Sequence, residues 1–397
     1  MKKINVKEIV EVKTEFKLNA NVNTDKISAV IATKNGPALV RKAASKTVSA
    51  ALVLVMAIFA AASCAGCMFC PPPAHAAKTR AGRVEAALPE IREAKTVEVC
   101  VLGLGAGTGS VGIGTADSPA FVSNGPSSFA VDKDENVYIL DALNFRVLKM
   151  SKTGALTASF GYPRGETDNK RRWYYVSDIA ISPKNGNIYL LNQTLKNIFI
   201  LSPAGQMRAA IDVKKQCKRP HKIFVSNSGE IFVSDQGGGK VVVYDDAGAV
   251  TGWLSDHTAS VYSDKKGFIF ALGEFDKDGR DILLMDRSAK LQPKVFAKLI
   301  KSIKKTDPYD YHVLGLDANY NFYASIVEKI VEDVIQTLVY KFDRNGKTVE
   351  RLKIMPFIHL GGSAPTRYFN VSPNGVLYGV TASKDYKKYI IVRIEGR

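Results

Sequence analysis

The chain has 397 residues and a mass of 43.2 kDa, with 55 Lys and Arg against 38 Asp and Glu, a formal charge of +17. Charged residues at 23% and aromatics at 9% exclude a wholly disordered chain, and five cysteines exclude a disulfide-dense scaffold. The length suffices for a sizeable core in one large domain or two smaller ones.

Residues 1–46 form a basic region with ten Lys and Arg and four Asp and Glu. Residues 47–77 contain no Lys, Arg, Asp or Glu, and residues 50–62 read AALVLVMAIFAAA. With the following SCAGCMFC, the segment is long enough to cross a bilayer, which takes about 20 helical residues. The basic excess before it favours a cytoplasmic N-terminus. The expected element over residues 47–76 is a signal or membrane-anchor helix. Its fate is open in three ways. Three prolines at 71–73 followed by Ala74-His75-Ala76 fit cleavage before Ala77. Ala61-Ala62-Ser63-Cys64 loosely resembles a lipobox, with Cys64 the lipidated residue. The third fate is an uncleaved anchor in the membrane. Cys64, Cys67 and Cys70 have metal-like spacing but no partner set.

Each fate puts the rest of the chain outside the cytoplasm: periplasmic, at the cell surface or secreted. Residues 77–95 read as a linker. From residue 77 onward the charge is +11, which suits an anionic envelope, phospholipid headgroups or an acidic polymer. Specific nucleic-acid recognition is not expected. Cys100 and Cys217 remain, able to pair in an oxidising compartment, but the sequence does not bring them together.

From residue 96 the chain repeats. A short apolar strand follows a polar turn six times: VYIL at 137–140, IYLL at 188–191, IFVS at 231–234, IFAL at 269–272, FYAS at 322–325 and LYGV at 377–380. The turns are DKDEN, PKNGN, SNSGE, DKKGF, DANYN and SPNGV, beginning at residues 132, 183, 226, 264, 317 and 372. Gly or Asn is expected to supply the positive-φ position of each. A further strand precedes each turn, and a third, rich in aliphatic residues, follows each central strand. Second turns then recur at intervals of roughly 42 to 57 residues. Five repeats have a fourth strand, at 156–160, 207–213, 250–254, 293–298 and 349–354, and the sixth has none of its own before Arg397. Residues 96–102 (TVEVCVL) form an unassigned strand that can complete it. Such closure removes an exposed sheet edge. The expected fold over residues 96–397 is all-β, a six-bladed β-propeller closed by this N-terminal outer strand and preceded by the membrane or signal helix. One short helix is expected at residues 295–304.

The first repeat, from Gly125-Pro126 to Phe160, carries Phe129-Ala-Val-Asp132, then Asn136-Val-Tyr-Ile-Leu-Asp141, then Asn144-Phe-Arg146-Val147. The Asp after the second strand and the Asn-x-Arg-Val step resemble the NHL family of β-propellers. The Asp recurs as Asp235 and as the related Asn192, and is replaced by Gly273, Ser325 and Thr381 in the other repeats. The resemblance implies the fold. For function it implies only a range that takes in scaffolds, polymer binders, lyases and lactonase-like relatives.

Residues 103–109 read GLGAGTG, but no βαβ context surrounds them, so they are expected to form a crossing loop rather than a dinucleotide site. No Gly-x-Ser-x-Gly elbow is present. Counting back five residues from each polar turn gives an axial ring of Ser127, Asp178, His221, Ala259, His312 and Arg367. His221 and His312, with Asp178 or His257, offer zinc a donor set. The other reading makes them polar channel residues bonded to strand ends. A calcium site would want more carboxylates than Asp178, and Ser127, Ala259 and Arg367 dilute the set. His359 falls on the connection into the sixth repeat. Basic insertions are the more consistent feature: Lys170, Arg171, Arg172 and Trp173; Lys215, Lys218 and Arg219; and KSIKK at 301–305. The first two lead into the inner strands of the second and third repeats, so they are expected on one mouth of the ring. Cations and aromatics there suit an anionic or glycan-like ligand.

The resulting expectation is an exported or envelope-associated noncatalytic binding module whose partner is an envelope protein or anionic polymer. The alternative is a metal-dependent lyase or lactonase-like hydrolase using the axial channel.

Overall fold

The computed structural model describes residues 88–113, 125–161, 176–255, 262–263, 268–286, 294–302, 308, 310–331, 334–354 and 366–396. The leader and its Cys64 lie outside them. The described residues are β-strands, turns and one 3₁₀ turn (Ala142–Asn144), and hold no α-helix. Strands β1 (Ile91–Leu104) and β2 (Ser110–Val111) come first. Three four-stranded sheets follow. They are β3 (Ser128–Val131), β4 (Val137–Asp141), β5 (Arg146–Met150) and β6 (Leu156–Gly161); β7 (Val176–Ile181), β8 (Ile188–Asn192), β9 (Asn197–Leu201) and β10 (Met207–Asp212); and β11 (Pro220–Val225), β12 (Ile231–Asp235), β13 (Lys240–Tyr244) and β14 (Val250–Ser255). The fourth is β15 (Tyr262–Ser263), β16 (Phe268–Phe275), β17 (Gly279–Asp286) and β18 (Lys294–Ile300). Next are β19 (Asp310–Leu316), β20 (Phe322–Val331), β21 (Val334–Phe342) and β22 (Thr348–Ile354), then β23 (Phe369–Val371), β24 (Leu377–Ala382) and β25 (Lys388–Gly396). Within each group consecutive strands pair antiparallel, the pattern of a β-propeller.

Burial explains why these segments form strands. The second strand of the first and second sheets is buried at every residue, so it reads as an unbroken apolar run rather than an alternation. Outer strands face water on one side: β6 alternates half-buried with exposed residues, and β10 is exposed at all but Ile211. Apolar clusters join each sheet to the next. Leu140 and Val147 pack with Ile179 and Leu190, Ile198 with Ile223 and Val233, and Phe232 with Ile269. Further round, Phe270 packs with Phe322, and Tyr323 and Ile354 with Leu377 and Ile394. A last cluster sets Cys100, Leu102 and Ile391 against Ile139 and Leu148 of the first sheet.

The pairing expected of residues 96–102 is present, with β1 antiparallel to β25 and Thr96 opposite Ile394. β1 also begins earlier than expected. Its first residues, Ile91 to Glu93, run parallel to β22, so the last two strand groups form one nine-stranded sheet. Val99 is skipped in the β25 register, and its carbonyl would lie 1.8 Å from a Cβ placed on Gly154, in the turn between β5 and β6. Gly346 meets the carbonyl of Phe296, the skipped residue of β18, in the same way at 1.9 Å. β1 therefore takes the outer place in the last group that β18 takes in the fourth sheet.

Two expectations are corrected. Residues 294–300 form strand β18, as the fourth strand expected at 293–298 requires, and not the overlapping helix expected from 295: they pair antiparallel with β17, and a one-residue bulge at Phe296 breaks their alternation. The positive-φ turn position is glycine in three strand groups (Gly186, Gly229 and Gly375), but Glu135 and Tyr320 hold it, each at φ 62°, in two others. There an Asp replaces the turn's first Ser. Asp132 Oδ1 accepts from the amides of Asp134 and Asn136, each at 2.9 Å, while Oδ2 accepts from Asn136 Nδ2 and Tyr138 Oη. Asp317 repeats every one of these bonds with Asn319, Asn321 and Tyr323. Four bonds to one carboxylate offset the cost of a left-handed side-chain-bearing residue.

Gly154→Val should therefore be strongly destabilising, by about 2–4 kcal/mol, because φ is +83° and the β1 carbonyl blocks the side chain. Gly252→Ala, with nothing within 4 Å, is the matched control and should change stability by less than about 1 kcal/mol. Denaturant unfolding of both variants checks the pair, and equal stability would mean that β1 does not sit against this turn.

Candidate functional site

The first strands of the sheets meet side by side: β3 lies against β7, β7 against β11, β19 against β23, and β23 against β3. At the turn ends of these strands is a cavity of about 550 Å³, bounded by the first turns of five strand groups, with Asp132, Ser182, Ser226, Asp317 and Asn370 in its wall. Arg367, just before β23, belongs to the same wall. Beyond it, toward the other mouth, is the residue that holds it.

That residue is Asp178 of β7, fully buried. Arg367 grips it as a fork, Nε donating to Oδ1 at 2.8 Å and Nη2 to Oδ2 at 2.9 Å. Ser128 Oγ donates to Oδ1 at 2.6 Å, and the Ile223 amide to Oδ2 at 2.8 Å. Arg367 also donates to the Ile223 carbonyl. Thr366 reinforces the crossing through bonds to the carbonyls of Ser127 and Ser177. One carboxylate thus links β3, β7, β11 and the approach to β23. Burial pushes the Asp178 carboxyl up, but the Arg367 charge and the hydrogen bonds outweigh it and hold the group below the usual carboxylate range.

Of the ring positions read from sequence, Asp178 and Arg367 come together as this ion pair. His221 is half-buried beside Lys222, and burial with that neighbouring charge lowers its proton affinity. His312 is lowered by burial too, although Asp310 Oδ2, 3.3 Å from Nε2, opposes the shift. Ala259, His257 and His359 lie outside the described residues. Among the described residues, Asp178 is not free for a metal. Both Asp178 oxygens are engaged, with Arg367 beside them, and among the described residues no group of three His, Cys, Asp or Glu is arranged around a common point. Lys222 is a charged residue at this node that the histidine-centred reading passed over. Its signal was a lone Lys in a strand that otherwise alternates toward the core.

The basic insertion before β11 is a built loop. Val213 accepts from the amides of Gln216 and Cys217. Asp235 then accepts from the amides of Lys218 (3.0 Å), Arg219 (2.6 Å) and Gly237 (3.2 Å). A Cβ on Gly238 would lie 2.2 Å from that carboxylate, so glycine is required there. The side chains of Lys215, Lys218 and Arg219 are exposed above this fixed backbone. Lys170, Arg171, Arg172 and Trp173 lie outside the described residues. The glycine-rich loop at 103–109 is a crossing loop. Arg146 donates to the carbonyls of Gly107 and Ser110 while its Nε holds Asp141 at 2.9 Å. Asn144 donates to Gly105, and the Gly112 amide donates to Asp141. Cys100 and Cys217 are free, buried in separate clusters, and burial pushes their thiols up to about 12 and about 11.

Removing the guanidinium should expose what this pair contributes. Arg367→Met leaves a buried carboxylate uncompensated and should cost about 3–5 kcal/mol, whereas Arg367→Met with Asp178→Asn should recover part of the loss. The folded carboxyl titrates below its unfolded value, so its stabilisation is fully present above about pH 4 and is lost as pH falls through the lower folded value. Acid unfolding curves should lose that component in the double variant. Superimposable acid limbs would show that the pair contributes nothing.

No family model and no curated protein matches the chain. Solved structures similar to it include a DUF4221 family member from Bacteroides vulgatus, with TM-score 0.48 and 11% identity over 78% of this chain and 99% of that one. A putative exported protein from Bacteroides fragilis has TM-score 0.46 and 11% identity over 78% and 98%. Virginiamycin B lyase from Staphylococcus aureus has TM-score 0.42 and 10% identity over 76% and 99%. The propeller pattern stands on the strand pairings of this chain itself.

Proposed function

We propose that the chain is an exported, NHL-like propeller of six blades that acts as a noncatalytic binding module for an anionic polymer of the cell envelope. The blade count is supported by the core clusters, which lead from each strand group to the next and return from β1, β24 and β25 to the first sheet. Export is supported by the apolar segment at 47–76, with cleavage before Ala77, lipidation of Cys64 or retention as an anchor as its three fates.

The observation that carries the binding reading is the incoming loop of the third sheet. Its backbone is fixed by Asp235, so Lys215, Lys218 and Arg219 present three cations without the ordering cost of a free loop. Lys170, Arg171, Arg172 and Trp173 precede β7 in sequence as this loop precedes β11, and the proposal takes them as part of the same surface. The cations attract a polyanion over a screened range, and Trp173 adds stacking contact. The channel itself offers little for the rival metal-dependent lyase or lactonase-like hydrolase, because a metal would have to displace Arg367 from Asp178.

Retention on immobilised heparin, used as a model polyanion, tests the surface. The chain should bind at about 0.05 M salt and elute toward about 0.5 M as the Debye length shortens. Arg171→Ser, Arg172→Ser and Lys218→Ser together should lower the eluting salt without changing the melting temperature. Retention indifferent to both changes would reject this surface.

Ring closure has its own test. Deleting residues 96–102 removes the partner of β25 and bares its edge. The deleted protein should aggregate or unfold without cooperativity, and a monomer of unchanged stability would count against six closed blades.

A further inference from the structure

The outer strand of the third sheet carries an indole that packing does not require. Trp253 of β14 is 67% exposed, and Val250 of the same strand is 45% exposed. In the ladder Trp253 lies opposite Val242 and Val250 opposite Tyr244, and both of these partners are buried. Cross-strand partners share a face of the sheet. What covers that face is segment 211–219. Ile211, Val213 and Cys217 join one apolar cluster with Val242 and Tyr244, and Cys217 Sγ lies 3.8 Å from Tyr244 Oη. The Ile211 side chain fills the space that a Cβ on Gly248 would need, at the β13–β14 turn. At the other end Asp235, in the ladder with Lys240 and Ser255, holds the amides of Lys218 and Arg219. The segment therefore crosses the face that carries Trp253. It covers the inner partners, leaves Trp253 and Val250 in water, and exposes its own Lys215, Lys218 and Arg219. Counted from the bulge that each outer strand carries, the position of Trp253 is Ser159 in β6, Ala210 in β10, Lys298 in β18, Arg351 in β22 and Val101 in β1. None of these is aromatic, so the place in the fold does not account for a tryptophan.

We propose that Trp253 is the stacking platform for the sugar rings of an acidic polysaccharide, whose anionic groups pair with Lys215, Lys218 and Arg219. The inference rests on the polyanion reading above and names the ligand class of that surface. An indole has a negative π face, against which the C–H bonds on one side of a sugar ring can lie while the hydroxyls at its rim stay in water. The cations alone would accept any polyanion. The indole beside them favours a polymer whose units offer both a flat apolar face and a charge, and a ringless polyphosphate has no use for it. Single-stranded nucleic acid stacks successive bases on aromatic side chains. Among the described residues the other strongly exposed aromatic is Tyr386, between β24 and β25 of a different strand group, so no such series lies on this face.

Trp173→Phe leaves Trp253 as the chain's one indole, so the emission of that full-length variant reports on this surface. Titrated with heparin oligosaccharide at about 0.05 M salt, where the charges are little screened, its emission should change saturably. Calorimetry should show that Trp253→Ala weakens heparin binding about fivefold and that Trp253→Phe keeps most of it. Polyphosphate should bind Trp253→Ala and the unaltered chain alike. Should Trp253→Ala fail to fold, the emission change of Trp253 itself decides. Unchanged emission at saturating heparin, or equal heparin affinity in a folded Trp253→Ala, would overturn the platform. An oligothymidine as dependent on Trp253 as heparin is would overturn the assignment to a polysaccharide. Salt-dependent binding of both heparin and polyphosphate, each indifferent to Trp253, would overturn this inference and leave the polyanion reading standing. Binding of neither polymer at low salt would overturn both.

Discussion

Strand β25 is buried along most of its length, and its outer side would be an open row of amides and carbonyls if β1 did not lie against it. Pairing β1 there joins segments nearly the whole chain apart, which is costly in loop entropy, so it must be held by more than one ladder. The ladder is supplemented at the start of β1. Ile91 to Glu93 continue onto β22, Glu93 accepts from Lys353 at 2.8 Å, and Arg92 pairs with Glu350. On the other side the Val99 carbonyl seats against Gly154 of the first sheet. β1 is thereby fastened to three strand groups at once, and the inner strands of the last and first groups are brought together.

The axial ion pair is a consequence of that fastening. Arg367 and Asp178 are 189 residues apart and meet because β23 is held beside β3. Two buried charges would ordinarily be poor value, since desolvation of each costs several kcal/mol. The fork geometry and three further donors to the carboxylate, Ser128 Oγ and the amides of Ile179 and Ile223, reduce that cost, and any slip of one inner strand would leave a charge unpaired. The pair is therefore better understood as fixing how four strand segments meet than as a large source of net stability.

How far the fold could be read from sequence follows from where each residue is satisfied. The second strands were legible because both faces are buried, which forces an unbroken apolar run between polar turns. Their turns were legible in place, but Glu135 and Tyr320 were not legible as left-handed residues, because what permits them is a carboxylate three residues earlier. Strand β18 was legible as a fourth strand at 293–298, and a helix over 295–304 competed with it because the bulge at Phe296 shifts its apolar residues out of a period of two. The axial register put Asp178 and Arg367 at one level of the ring. Their opposite charges are the available signal for a pair, whereas the hydrogen bonds from Ser128 and Ile223 that complete it carry no mark in the sequence.

The NHL-like step also takes on a physical meaning that its partial loss along the chain might obscure. In the first sheet, Asp141 faces Arg146 across the β4–β5 ladder, and that guanidinium reaches on to three carbonyls of the 105–110 loop. In the third sheet the same two positions are Asp235 and Lys240. There the carboxylate bonds the incoming loop itself, through the amides of Lys218 and Arg219. An Arg is needed only where the loop offers carbonyls; where it offers amides, the Asp suffices. The loop's own cations are then not drawn inward to answer a carboxylate, and their side chains remain in solvent. Replacement of the Arg step by Lys240 is thus compatible with a fixed loop, and it is this second form of the clamp that leaves a basic surface on a rigid support.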